Sequence, residues 1–128
     1  MASILDKSDG ELLRILGEYD LNQNFSSQPA SDGEKERAGR NLLDRLSNRF
    51  RHSICTHPLT KKLLHGQEAD ATLALATVMI IVVQVGIFDR AAHEVIREIA
   101  ALSTLMVRQG LASYCAGVEM PRDEAESR

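Results

Sequence analysis

The sequence of 128 residues contains no tryptophan, and aromatic residues make up only 4% of it. Proteins that bind RNA or single-stranded DNA stack bases on exposed aromatic rings, so this scarcity argues against that kind of function. The core must therefore be built from aliphatic side chains, mainly those of Leu, Ile, Val, Ala and Met. A chain of this length forms one domain by the usual size range and is long enough to bury such a core.

The chain has only two cysteines, Cys55 and Cys115, too few for the framework of a small disulfide-rich domain. The first residues, MASILDKSDGELL, are acidic and lack the apolar region of a secretory signal. We therefore expect a cytoplasmic protein in which both thiols are reduced. Cys115 is expected to be a small core residue and Cys55 a half-buried one.

The common catalytic and nucleotide-binding motifs are also missing, including the Walker A loop, the dinucleotide-binding glycine pattern and the zinc-protease and hydrolase signatures. Cys55 lies near His52 and His57, but no acidic residue or glycine-rich loop beside them would complete a nucleophilic site. The same residues, with His65, are a candidate zinc site whose spacing is not that of a standard finger. We therefore expect no enzyme, no metal, no cofactor and no small-molecule substrate.

One stretch, 71–88, stands out because its eighteen residues, ATLALATVMIIVVQVGIF, include no charge. The stretch is too long for a typical strand, which predicts a helix over 69–86. We predict that this helix is the central, buried element of a small helical bundle. Its polar positions Asp70, Thr77 and Gln84 are seven apart, so they should lie along one side of the helix.

Two alternatives remain for the stretch 71–88. Eighteen residues rise about 27 Å in a helix, the lower limit for crossing a bilayer, but neither end carries Trp, Tyr or a basic cluster. A small membrane-inserting protein is therefore an alternative function. A helix that is apolar on nearly all sides also needs more neighbours than a small monomer offers, and a dimer would supply the rest.

Two capping boxes mark helix starts elsewhere. The tetrapeptide Ser-Asp-Gly-Glu occurs at 8–11 and again at 31–34, where serine and glutamate can each bond the other's backbone N–H. These starts predict helices over 9–18 and 33–54. The other predicted features are a polar loop over 21–30 with Phe25 packed on the core, a short helix over 58–65, an amphipathic helix over 90–109 and a polar, disordered tail over 118–128.

The predicted helix 90–109 has apolar residues over less than half of its circumference. It should pack this face on the helix 69–86, because the link between the two helices is short and makes them antiparallel. Thr104 and Arg108 fall on its polar side. Leu105 falls there as well, as an apolar exception, and we expect it to be exposed and to lie at the seam of a dimer.

Charge is divided unevenly along the chain, with a net −4 over residues 1–33 and +5 over 34–62. The simplest interpretation is that an acidic segment packs beside a basic one, within the chain or across a dimer. A nucleic-acid-binding basic helix over 34–54 is the second alternative function, disfavoured by the overall charge of −3. Arg45 and Arg49 have no acid nearby on their own helix, so they should find a carboxylate or a phosphate elsewhere.

Together these patterns predict an all-α domain over 1–117, with four main helices and one short helix. They favour a non-catalytic, adaptor-like protein–protein interaction module, either a homo-oligomer or a subunit of a larger complex. The expected partner is a protein, rather than a nucleic acid, a membrane or a small molecule. The residues expected to bind this partner are Arg37, Arg40, Arg45, Arg49, Arg51, Leu105 and Arg108.

Overall fold

The structure, a computed structural model, describes residues 6–23, 31–65 and 71–118, and these ranges are helical without strands. The helices are α1 Asp9–Gln23, α2 Asp32–Arg49, α3 Arg51–Cys55, α4 Pro58–His65, α5 Ala71–Val85, α6 Ile96–Gln109 and α7 Leu111–Tyr114, with a 3-10 turn at Ala92–Glu94. The predicted all-α class is confirmed, and the arrangement is consistent with a helical bundle. Phe25, Asp70 and the tail 119–128 lie outside the described residues.

Both predicted capping boxes are present. The backbone N–H of Glu11 donates to Ser8 Oγ at 3.1 Å, and the Ser8 N–H donates to Glu11 Oε1 at 3.0 Å. Ser31 and Glu34 form the same reciprocal pair at the start of α2. α1 continues past its predicted end at residue 18, because the ring of Tyr19 packs edge-on against Phe88 and so holds the following turn in place.

The basic helix predicted over 33–54 is not continuous. It breaks at Phe50, whose backbone (φ −104°, ψ 8°) ends α2 and precedes α3. The guanidinium group of Arg49 lies 5.2 Å from the centre of the Phe50 ring. Because no proline or glycine occurs here, the sequence carries none of the usual signals of a helix end.

α1 and α2 cross so closely that their backbones meet at two glycines. A Cβ atom placed on Gly39 would lie 1.9 Å from the carbonyl oxygen of Leu13, and one on Gly17 would lie 1.8 Å from that of Lys35. Such a separation leaves no room for any side chain, so only glycine permits this crossing. No local pattern in the sequence predicts this contact between α1 and α2.

α6 is buried along most of its length, because α5 packs on one side of it and α1 on another. All side chains of residues 101–106 are buried. Thr104 is fully buried, and its hydroxyl donates to the Ala100 carbonyl at 2.7 Å. Leu105 is 8% exposed, so the prediction that it is an exposed residue at a dimer seam is wrong. α1 covers the side of the helix that was expected to face water.

α5 lies at the edge of the bundle rather than at its centre. One face of it is buried through Val78, Ile81 and Val82, but Leu73 and Ile80 on the other face are 57% and 47% exposed. Within the described part of the chain, no helix has both the length and the apolarity needed to cross a bilayer.

The link between α5 and α6 is longer than predicted, because α6 begins at Ile96 rather than near residue 90. Gly86 adopts φ +77° and ends α5. The intervening residues bury apolar side chains of their own, including Ile87, Phe88 and Val95. Burial of these three side chains anchors the link against the core, although the link is not part of the helix predicted over 90–109.

Cys55, the last residue of α3, and Cys115, just after α7, form a disulfide with their Cα atoms 5.6 Å apart. The prediction that both thiols are reduced is therefore wrong. Spacing alone could not pair two cysteines that are 60 residues apart. The disulfide does not support the predicted cytoplasmic location, since disulfides persist in oxidising compartments.

Candidate functional site

The structure separates the seven residues predicted for partner binding. Arg45 binds Asp20 of α1 with an N–O distance of 2.9 Å, and Arg49 lies over the Phe50 ring. Arg37 is exposed on α2 and does not line the cavity that the remaining residues share. The remaining four residues come together around one cavity. The ion pairs that join α1 and α2 are Arg14–Asp32, Arg14–Glu36, Lys35–Glu18 and Arg45–Asp20.

Two of these ion pairs, Lys35–Glu18 and Arg45–Asp20, join an acidic residue of 1–33 to a basic residue of 34–62. Acidic groups of α1 meet basic groups of α2 across the glycine crossing, so the interpretation of an acidic segment beside a basic one within the chain is confirmed. The pairs are exposed or half-exposed, so each contributes no more than about 1 kcal/mol to the free energy of folding.

The cavity, which we name the arginine cleft, has a volume of about 400 Å³ and lies where α1, α2, α3, α6 and α7 meet. Its charged lining residues are Asp9, Arg40, Asp44, Arg51 and Arg108. Its apolar lining includes Leu13, Leu43 and Leu105, and its polar lining includes Ser47, Asn48, Gln109 and Tyr114. The cleft thus combines positive charge with an apolar wall.

Tyr114 holds Arg51 in place within the arginine cleft. The Arg51 guanidinium lies 5.4 Å from the centre of the Tyr114 ring, in cation–π contact. The Tyr114 hydroxyl donates a hydrogen bond to the Ser47 carbonyl. Burial raises the pKa of Tyr114 to about 12, with Arg51 opposing the shift, so the hydroxyl keeps its proton at neutral pH. Sequence reasoning missed this residue, because a tyrosine near the chain end resembles ordinary core.

The arginines of the cleft differ in how their charges are compensated. Arg108 donates to Asp9 Oδ1 at 2.7 Å and to the Lys7 carbonyl at 2.5 Å. Arg51 has no ion pair with any residue in the described ranges, and its Nε is buried without an acceptor. A half-buried guanidinium that lacks an acidic partner attracts anions, because the protein around it reduces screening by water.

A second unusual surface lies on α5. Four of its solvent-facing residues are apolar and follow one another at intervals of three, four and three, and we name them the exposed stripe: Leu73, Ala76, Ile80 and Val83. The polar positions beside the stripe are used within the chain. Thr77 donates to the Leu73 carbonyl at 2.9 Å, and the Gln84 amide bonds to His57 at 2.7 Å.

The residues weighed as a candidate metal or nucleophilic site make other contacts in the structure. The sulfur of Cys55 is bonded to Cys115 and is not a free thiol. His57 contacts Gln84 and accepts from the Leu59 N–H at 3.0 Å. Over residues 6–23, 31–65 and 71–118, no group of three or more His, Cys, Asp or Glu side chains could hold a metal. The side chain of His65 is not among those described.

The chain is therefore an all-α protein with an arginine-lined cleft and an exposed apolar helix face. No family model matches it, and no curated protein or solved structure matches it either.

Proposed function

We propose that this protein is a non-catalytic helical interaction module that associates with a second copy of itself through the exposed stripe of α5. The observation that carries the proposal is the exposure of Leu73, Ile80 and Val83, at 57%, 47% and 46%, on a single face of one helix. Contiguous apolar surface on a soluble domain commonly marks a binding site. The spacing of three, four and three is that of helices that pair along an apolar seam.

The chemistry of α5 favours a second copy as the partner. A two-fold interface places the same surface against itself, so a charged residue near the two-fold axis would meet its own copy. α5 carries no charged residue, and the stretch 71–88 as a whole has none. An antiparallel pair of α5 helices would also align their dipoles favourably, with each amino end beside the other's carboxyl end.

The start of α6 extends the same surface. Val83 of the stripe lines a small groove with Ala92 and Ile99, so the amino end of α6 lies beside the stripe. Ile96, which lies between Ala92 and Ile99 in the sequence, is 52% exposed. Interfaces of ordinary stable complexes bury about 800 Å² per partner, more than these side chains supply alone. We therefore expect a weak dimer whose polar rim completes the contact.

Analytical ultracentrifugation of the full chain tests this proposal, over concentrations from about micromolar to millimolar as suits a small interface. We expect the wild type to form a reversible dimer and Ile80→Asp to be monomeric with an unchanged circular dichroism spectrum. Asn41→Asp is the matched control, since it adds the same charge at an exposed position of α2 and should still dimerise. A wild type that remains monomeric, or an Ile80→Asp variant that dimerises as well, would refute the proposal.

A further inference from the structure

We propose that the arginine cleft is a binding site for a small monocarboxylate that has an apolar body. This site is independent of the proposed self-association, because none of the residues of the exposed stripe lines the cleft. The two proposals can therefore fail separately.

The size and lining of the cleft fit a small organic molecule. Its volume of about 400 Å³ falls within the usual range for ligand pockets. Leu13, Leu43 and Leu105 contribute apolar wall beside the charged groups. Ligand sites typically show this combination of apolar surface with a few polar groups that fix orientation.

The charge balance of the cleft points to a singly charged anion. Three arginines and two aspartates line it, which leaves a net charge of +1. Arg108 is neutralised by Asp9. Arg40 and Arg51 form no ion pair with another residue in the described ranges, and Asp44 on the wall would repel a second negative charge. A carboxylate therefore fits this balance better than a phosphate dianion does.

Arg51 is the group best placed to bind the carboxylate. The guanidinium fork matches the two oxygens of a carboxylate and can donate two parallel hydrogen bonds to them. Its Nε is buried, so the terminal nitrogens are the donors that a ligand in the cleft can reach. The ring of Tyr114 holds the guanidinium, and the Tyr114 hydroxyl is itself tied to the Ser47 carbonyl. Such preorganisation lowers the entropic cost of binding.

The test is an NMR titration of the ¹⁵N-labelled full chain with benzoate, with its neutral analogue benzamide and with inorganic phosphate. We expect saturable shifts with benzoate at the amides of Ser47 and Tyr114, and no saturable shifts there with benzamide. Phosphate should bind more weakly than benzoate. Arg51→Gln should weaken benzoate binding by at least about tenfold, since it removes a charge-assisted hydrogen-bond donor.

Two further variants make the result decisive if Arg51→Gln disturbs the fold. Arg40→Gln removes an exposed cleft arginine and should also weaken binding, whereas Arg37→Gln removes an exposed arginine of the same helix outside the cleft and should not. Equal responses to benzoate and benzamide, equal binding by the Arg40 and Arg37 variants, or tighter binding of phosphate would overturn the proposal. It would equally be overturned if a blocked acidic tripeptide saturated the cleft while benzoate did not, because the natural ligand would then be a protein segment.

Discussion

α5 and α6 are nearly equal in length, and their burial is the opposite of what their compositions suggest. α5 carries no charge, yet Leu73, Ile80 and Val83 are about half exposed. α6 contains acidic and basic residues, yet the whole segment 101–106 is buried. The apolarity of a helix thus does not determine its place in a bundle. A helix is buried when other helices cover several of its faces, whatever its own composition.

The difference follows from what packs on each helix. α5 meets α6, α4 and α3, whereas α6 lies between α5 and α1 and also contacts α7. The small residues Ala101, Ser103 and Thr104 are fully buried in this segment of α6. The Thr104 hydroxyl bonds to the helix's own backbone and so needs no outside partner.

The largest expected effect is a difference in stability between substitutions at two neighbouring residues of α5. Ile81 is fully buried, and an aspartate there would leave an unpaired carboxylate in the core at a cost of several kcal/mol. We expect Ile81→Asp to be unfolded and Ile80→Asp, on the exposed face, to melt cooperatively near the wild-type temperature. Circular dichroism melts of both variants check this. If both unfold, α5 is covered on both faces, and if neither does, its placement against α6 is wrong.

The disulfide links α3, which contacts α5, to the residue after α7, which contacts α6. Cross-linking residues that are 60 apart should stabilise the fold by about 4 kcal/mol in the chain-entropy model. We therefore expect reductant to lower the denaturant midpoint of the wild type strongly. The Cys115→Ala variant should match the reduced protein and be insensitive to reductant. An unchanged midpoint on reduction would show that the two thiols are not bonded.

The glycine crossing holds α1 where it can cover α6. Gly39→Ala would force a methyl group into the Leu13 carbonyl and push the two helices apart, at a cost of about 3 kcal/mol. Gly33 is the control, since a methyl group there would meet only the Ser31 hydroxyl at 4.0 Å. We expect Gly33→Ala to be neutral or slightly stabilising by urea denaturation. Equal effects of the two substitutions would contradict the close crossing.

A smaller effect distinguishes the two ends of α6. Leu105→Ala should cost about 2 kcal/mol, at the low end for a buried leucine because one side of the residue faces the arginine cleft. Ile96→Ala should change stability by no more than about 0.5 kcal/mol, because Ile96 is exposed. Chemical denaturation of both variants measures this difference. A negligible cost at Leu105 would restore the expectation that this residue is exposed.

Much of the fold could be predicted from local signals. The capping boxes at Ser8 and Ser31 placed two helix starts, Pro58 placed a third, and the uncharged stretch placed α5. These signals act within one or two turns, so they do not depend on the rest of the chain.

The features that the sequence did not reveal depend on contacts between distant residues. Leu105 was expected to be exposed because nothing local shows that α1 covers it. The pairing of Cys55 with Cys115 is likewise a contact between distant residues, which no local signal shows. Arg40, Arg51 and Arg108 of the candidate site were predicted from the sequence as binding residues. The sequence did not indicate that they line one cleft, or that the Tyr114 ring contacts Arg51.

The smallest expected effect is a pH dependence at the amino end of α1. Hydrogen bonds from Ser8, first from its backbone N–H and then from its hydroxyl, lower the pKa of Glu11 below its ordinary value of 4.5. A group whose pKa is lower in the folded state stabilises the fold fully above its unfolded-state pKa. That stabilisation is lost as the pH falls through 4.5 and below it. We therefore expect wild type to melt slightly above Glu11→Gln at pH 7, with the difference shrinking as the pH falls below 4.5. A difference that stays constant with pH would mean that the capping geometry, and not the charge of Glu11, holds this end of the helix that covers α6.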